Sequence, residues 1–434
     1  MFTPNITQEH NVKVGFVQDP DGRGTIGIIW VCLTVLILNT WTIIHPNIEP
    51  KEHSEWRSWG HKVYLAIIAA FAPDAVAATA FRQWRCARNG YKDLKGCLPW
   101  WTLEHAFYAE MGGYRVVSTS SNVPQEYAFR CRQLIWLHER KLIDIPHIDK
   151  KQLEERSKAE PIGKFVAGCQ SSWFLISTLA RVGQKLEITT LEAEMFPFVA
   201  VTWLVYWWWW RKPSQLTTYT EIPVPDLTEQ VLIEMATDIC CFDRTPPWWR
   251  PMPKEMHPRK WDYYWMVKRI QINTFSFEDP IDKVPSRLLN AVRGTMAEWE
   301  VVDWYRSSIT EGHPNEWDVW DGLVIYAVGV WLYGFPLIVW DSEFPTEIER
   351  QLWRIANVGS IGLITLWAPV GYTLHRIGGT NPKPWKETAY YFIVFVVFLG
   401  RLYVMVEIFM GLRSCVPAVF ETVDWSVYIP HIGS

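Results

Sequence analysis

The feature that most constrains this chain is a set of apolar stretches too long to be the buried elements of a domain in water. A hydrocarbon core about 30 Å thick takes roughly 20 apolar residues in helix to cross. Seven segments qualify as spans: Thr25–Ile44, Val63–Phe81, Phe165–Leu179, Met195–Trp210, Gly322–Trp340, Ile355–Leu374 and Thr388–Leu412. The mean hydropathy of -0.04 conceals them, because two long polar loops dilute the average. The expected fold is all-α: a polytopic transmembrane helical bundle of about seven spans with two long, partly helical cytosolic loops.

On this reading residues 1–81 carry the first two spans and 82–164 form a polar loop domain. Residues 165–212 carry spans three and four, and 213–321 form a second polar domain rich in Trp and Pro. The last three spans occupy 322–412, and a tail follows at 413–434. Segments three and four are short, and a re-entrant hairpin is the alternative for them. The first apolar run begins only near Thr25 and is long enough to span, so it reads as a membrane helix rather than a cleaved leader.

Lys and Arg beside the spans set the orientation. Arg82, Arg85, Arg88, Lys92 and Lys95 follow segment two. Lys158 and Lys164 precede segment three, Arg211-Lys212 follow segment four, and Arg376, Lys383 and Lys386 separate the last two. The other side holds Lys51, Arg57, Lys62, Lys185, Arg350, Arg354 and Arg413. The bias predicts a cytosolic N-terminus, both long loops in the cytosol and the C-terminus across the membrane. One signal dissents: Asn5-Ile6-Thr7 is a glycan acceptor tripeptide and favours an outside N-terminus. The endoplasmic reticulum is the default site of insertion.

A net charge of -4 offers no basic surface for nucleic acid. The 28 tryptophans largely flank the apolar runs, where an amphipathic ring meets both lipid and water. The eight cysteines form no CxxC pair; Cys32 and Cys169 lie in apolar runs, Cys240 and Cys241 are adjacent, and reduced thiols are expected. In the loops, Asp149 with Gln152 resembles a capping box for a helix running through Lys158. Leu227, Val231, Met235 and Ile239 form an amphipathic stripe, as do Leu289, Val292, Met296 and Trp299. Pro246-Pro247-Trp248-Trp249-Arg250-Pro251 between them cannot be regular helix. No internal repeat is evident, which disfavours an inverted-repeat transporter.

Several blocks carry a resemblance. They are Asp19-Pro20-Asp21-Gly22-Arg23-Gly24-Thr25 with Ile28-Ile29-Trp30, His105-Ala106-Phe107-Tyr108-Ala109-Glu110-Met111-Gly112-Gly113, Lys158-Ala159, Gln170 with Trp173, Ala180-Arg181, Ile188-Thr189-Thr190-Leu191-Glu192 and Arg211-Lys212-Pro213. Phe344-Pro345-Thr346 with Trp353-Arg354, and Ile429-Pro430-His431, complete the set. With these blocks, spread over nearly the whole length, the chain resembles a large, mostly uncharacterised family of fungal, Trp-rich multispan membrane proteins. The resemblance implies a multispan membrane fold. By analogy with membrane cyclases of fungal biosynthetic clusters, it admits a Diels–Alderase-like role.

Ionisable groups inside spans are costly and mark functional candidates. Asp74 sits mid-segment beside Pro73 and is a candidate general acid; the alternative is a structural ion pair with Arg401. Arg401 and Glu407 share the last span, six residues apart, which sets them about 120° apart, so each needs a partner on another helix. Glu192 and Glu194 open segment four, where a helix N-terminus favours negative charge. Gln170 with Ser177, and Ser171 with Thr178, give segment three polar stripes that suit interhelical bonding as well as ligand binding. In the first loop Glu104, His105, Tyr108 and Glu110 form an acid–base set in which His105 and Tyr108 share a face, although such a group more often marks a packed loop helix. The candidate catalytic residues are thus Asp74, Glu407, Arg401, His105 and Tyr108, and the candidate substrate contacts are Gln170, Trp173 and Glu192.

The sequence shows no aspartate-rich diphosphate box, HExxH, desaturase-type His boxes, haem His pair, Walker A loop, dinucleotide fingerprint or serine-hydrolase elbow. No metal and no cofactor is therefore expected. Cyclisation, isomerisation or a pericyclic step suits such a site, needing a shaped apolar cavity and one or two hydrogen-bond donors. Three readings stay open: a cofactor-independent membrane enzyme of fungal secondary metabolism acting on a lipophilic, terpenoid-type intermediate; a transporter or receptor-like protein; and a non-catalytic scaffold recruiting soluble pathway enzymes. The expected partners are membrane lipids and a small lipophilic substrate.

Overall fold

The computed structural model describes residues 14–18, 23–48, 55–118, 126–157, 161–214, 216, 218–224, 227, 231, 234, 316–377 and 384–428. The described part is mostly helical. Its long helices are α1 (Thr25–Ile43), α2 (Glu55–Phe71), α3 (Pro73–Lys95), α7 (Pro161–Gly183), α8 (Thr190–Trp208), α9 (Glu316–Gly334), α10 (Glu347–Ile377) and α11 (Pro384–Met410). Three short ones, α4 (Leu103–Glu110), α5 (Cys131–Glu139) and α6 (Lys150–Arg156), lie between α3 and α7. Two helical stretches are long and apolar enough to cross a membrane, Thr25–Ile43 and Phe395–Arg413.

In α1, Ile28, Cys32, Val35, Asn39 and Ile43 face inward at helical spacing, while Ile26, Trp30 and Ile37 point out. α8 starts on a complete capping box, Thr189 accepting from the Glu192 N–H and the Glu192 carboxylate from the Thr189 N–H. A shell of exposed large apolar side chains surrounds the bundle. On α7 it includes Ile162, Phe165, Trp173, Ile176 and Leu179, and on α11 Phe392, Phe395, Phe398 and Val406.

Contacts at the helix ends fix their directions. The start of α1 meets the start of α8 through Arg23 and Glu192. It meets the end of α11 through a β-bridge between Val14 and Cys415. The end of α7 joins the same group, where Arg181 donates to the carbonyls of Val419 and Glu421 at 2.9 and 2.6 Å. The start of α10 meets the end of α11 through Glu349 and Arg413. At the opposite end, His45 after α1 lies beside Lys164 of α7 at 2.9 Å and accepts at its carbonyl from Lys212 after α8 at 2.6 Å. Helices α1, α8 and α10 therefore run one way and α7, α9 and α11 the other. The segments preceding α1 and following α11 share one end, which corrects the expectation that the two termini lie at opposite ends.

The second apolar segment departs from expectation as well. Val63–Phe81 is not one helix: α2 stops at Phe71, Pro73 opens α3, and the two axes diverge by 111°. Proline removes a backbone donor and starts a helix readily at its first position. Each apolar leg is about 13 Å of helix, so bent this way the run spans about 15 Å, half of what a crossing requires. Both legs begin and finish at the same bundle end: Lys62 lies over the Trp41 ring, and Gln83 accepts from Lys212. The tip reaches mid-bundle, where Phe71 meets Phe398. The second segment is a hairpin, while segments three and four run the length of the bundle as α7 and α8.

The all-α expectation is corrected too. At the hairpin's open end sits a small mixed subdomain built on β1 (Tyr114–Ser118), β2 (Glu126–Ala128) and β3 (Thr220–Val224), ordered β2-β1-β3. β1 pairs antiparallel with β2 and parallel with β3, aligning Val116 with Ile222. The parallel pair ties the two polar loops together, with α4, α5 and α6 packed around it. The Asp149 N–H donates to Gln152 Oε1 at 3.3 Å at the start of α6, half of the expected capping box, and Lys158 lies outside the described residues. Of the first amphipathic stripe, Leu227 is buried and Val231 half-buried. Met235, Ile239, the stripe from Leu289 to Trp299 and the Pro246–Pro251 run lie outside the described residues.

Candidate functional site

A polar cluster sits at the tip of the hairpin. Asp74 is in the first turn of α3, where the helix N-terminus favours a carboxylate. Its Oδ1 lies 3.4 Å from Nη1 of Arg401, about two-thirds of the way along α11. The same guanidinium nitrogen donates to the Tyr333 hydroxyl oxygen of α9 at 2.8 Å. Because that oxygen accepts, the phenol proton of Tyr333 is left to donate elsewhere.

Arg401 and Tyr333 border a cavity of about 40 Å³. Its polar lining is Glu194, Tyr333, Asn357, Ser360 and Arg401; its apolar walls include Leu36, Met195, Phe198, Leu332 and Ile408. Glu194 enters from α8, facing Arg401, Asn357 and Trp353. Its Oε1 is buried and has no hydrogen-bond partner among the described residues. A phenol with a free proton, an open carboxyl oxygen and a guanidinium thus converge on one apolar chamber. Chemically the set can donate a proton, accept one and stabilise developing negative charge.

Asp74 does not line this chamber. It pairs with Arg401, the ion pair weighed against a catalytic acid. Glu194 supplies the carboxyl that faces the cavity. Residues two apart on a helix point about 200° from one another, and this separates Glu194 from Glu192, which is spent on the α8 cap and on Arg23. Glu192 does not line the chamber.

Glu407 is brought to a different place, near the terminal end of the bundle. Tyr403 donates to its Oε2 at 3.3 Å, and Glu349 and Arg413 lie beside it. Its Oε1 is buried and unpartnered among the described residues. Trp173 is exposed on α7 and stacks on Trp425 at 5.1 Å. Gln170 is half-buried on the same helix. Ser171, one residue on, bonds Asn39 of α1 at 3.0 Å, the interhelical use weighed for that stripe.

His105 and Tyr108 belong to the loop subdomain. His105 is buried and both ring nitrogens are engaged: Nδ1 accepts from the Thr102 N–H at 3.2 Å, and Nε2 donates to the Ile148 carbonyl at 2.8 Å. Burial holds its imidazole below the ordinary histidine range, which keeps it neutral and suited to this capping. The Tyr108 hydroxyl meets Thr220 at 3.1 Å and Arg156 at 3.3 Å, and burial pushes its phenol up. Glu104 pairs with Arg211 and Lys150 at 2.9 and 3.2 Å, and Glu110 accepts from the Cys131 N–H. Through these contacts the four residues join the two loops.

Lys212 is a further centre that charge counting passes over. It is buried beneath the hairpin, donates to the His45 carbonyl and to Gln83 Oε1 at 2.7 Å, and lies over the Trp209 ring. Burial lowers its ammonium to about 7. Arg-Lys-Pro following an apolar run is the only sequence signal for it, and that pattern reads equally as a solvated flank. Among the described residues, no group of three or more His, Cys, Asp or Glu side chains could hold a metal ion. The profile of a family of unknown function matches residues 1–290. No curated protein and no solved structure matches the chain.

Proposed function

Given that this chain belongs to the DUF8562 family, a family of unknown function, we propose from its geometry that it is a multi-pass membrane protein whose working centre is the cavity bordered by Glu194, Tyr333 and Arg401. Six helices crossing the bilayer around a re-entrant hairpin is the arrangement proposed. The many exposed large apolar side chains on the long helices, with two stretches long and apolar enough to cross, support the membrane assignment. A re-entrant backbone is admissible at membrane depth only where protein or a cavity surrounds it, as here.

The activity proposed is cofactor-independent acid–base chemistry on a lipophilic, terpenoid-type intermediate: cyclisation, isomerisation or a pericyclic step. The observation that carries it is the convergence of a proton donor, an open carboxyl oxygen and a guanidinium in a chamber otherwise walled by apolar side chains. Tyr333 donates, Glu194 relays the proton and Arg401 holds developing negative charge. Asp74 keeps Arg401 in place. The volume sets a condition, because small-molecule sites are typically several hundred Å³. A substrate of that size enters only if the hairpin tip parts from α11.

That condition gives transport its one specific support. A broken helix with an ionisable residue at mid-depth also suits alternating access to a small solute. Both readings are tested with sealed microsomes carrying the protein and fed lipophilic intermediates. Enzyme action yields an isomer of unchanged mass, lost in Glu194→Gln and Tyr333→Phe. Full turnover in both variants removes the proposed centre, and sided accumulation of unaltered compound selects transport.

A further inference from the structure

We infer that both ends of the chain lie on the non-cytosolic face and that Asn5 is an N-glycan acceptor there. The inference rests on the membrane reading above. Its first support is the shared end. Val14 pairs with Cys415, Arg23 pairs with Glu192, and Arg181 holds the backbone at Val419 and Glu421. Three chain segments, 14–23, 181–192 and 415–421, are pinned together, so the regions flanking α1 and α11 occupy one face. No apolar run separates Asn5 from Val14, so the acceptor tripeptide Asn5-Ile6-Thr7 stays on that face.

The second support is charge. Cationic residues beside crossings mark the cytosolic face. The end opposite the termini carries Lys164, Arg211 and Lys212, and α3 delivers Arg82, Arg85 and Arg88 to it. A crossing second segment would put Lys51, Arg57 and Lys62 on the other face, against this bias. The hairpin returns Lys62 to the cationic end, where it lies over Trp41 at the close of α1. The dissenting charge of Lys62 becomes concordant, and so does the acceptor tripeptide, which conflicts with a cytosolic N-terminus. One change, a hairpin in place of a crossing, removes both conflicts.

The test uses the full chain with an epitope tag after Ser434, expressed in a glycosylating host. The expected results are a one-glycan mobility shift reversed by endoglycosidase, its loss in Asn5→Gln, and a tag protected from protease in sealed microsomes. A tag digested without detergent overturns the shared non-cytosolic face. A protected tag with no glycan on Asn5 overturns the modification site. Recovery of the protein in the supernatant after detergent-free ultracentrifugation defeats the membrane reading itself, a result separable from either.

Discussion

Two regions of this molecule gather ionisable and aromatic side chains, and they differ in what is left unpaired. In the loop subdomain His105 spends both ring nitrogens on neighbouring groups, and Glu104 and Glu110 are taken by two cations and a backbone N–H. At the hairpin tip Glu194 keeps an oxygen without a partner among the described residues, and Tyr333 keeps its proton. The Tyr114 hydroxyl, the Trp101 indole N–H and His138 Nδ1 also lack a hydrogen-bond partner among the described residues of the subdomain, so the contrast lies in Glu194 bordering a cavity. Residue type marks both places as candidates. A carboxyl oxygen left open beside a cavity is what sets the hairpin tip apart.

The contrast can be broken by substitution. Arg401→Met strips Asp74 and Glu194 of their cation and should cost about 3–5 kcal/mol, the range for breaking a buried pair. Thermal unfolding in micelles measures it, and adding Asp74→Asn should restore much of the stability without restoring function. A parent-like melting temperature in the single variant would show that the pair is not buried as described. His105→Ala should cost about 2–4 kcal/mol through the lost cap, the stranded Ile148 carbonyl and the void left behind. Activity per folded molecule should stay unchanged; a selective loss of activity would return His105 to the chemistry.

Lys212 offers a pH test. Its folded pKa of about 7 lies below the ordinary 10.5, so between those values the unfolded chain binds more protons. Stability should therefore be depressed at and below pH 7 and rise above it, by up to about 1.4 kcal/mol per unit. Lys212→Met should flatten that rise, and an identical pH profile in parent and variant would contradict the burial. The smallest effect on stability is expected for Glu194→Gln, under about 1 kcal/mol, because the shape is kept. Its turnover should fall on the order of 100-fold, the scale of a lost general acid–base group.

Part of this was legible in the sequence and part was not, for physical reasons. Asp74 and Arg401 stand out because charge in an apolar run is costly, and their pairing was one of the alternatives the residues left open. The hairpin was hidden because apolar length does not distinguish a crossing from a turn; Pro73 signalled a break but not its angle. β1 was missed because five residues, Tyr114–Ser118, find their parallel partner about 100 positions away in Thr220–Val224, which contains Pro223. The His105 and Tyr108 set was found on one face as expected, but its partners Ile148, Arg156 and Thr220 come from distant segments that no local spacing reveals. Glu194 was masked by Glu192, since both suit a helix start and only the bundle shows which one turns inward.

The hairpin is what brings Asp74 to Arg401 and both termini to one face, so sidedness of labelling tests it most directly. Cysteines placed at Lys62 and Arg85, in a background with the native thiols replaced, are to be probed in sealed vesicles of known orientation with a membrane-impermeant maleimide. Both should label from the face that carries the long polar loops, and neither from the other. Labelling from opposite faces would make Val63–Phe81 a crossing helix and contradict the account.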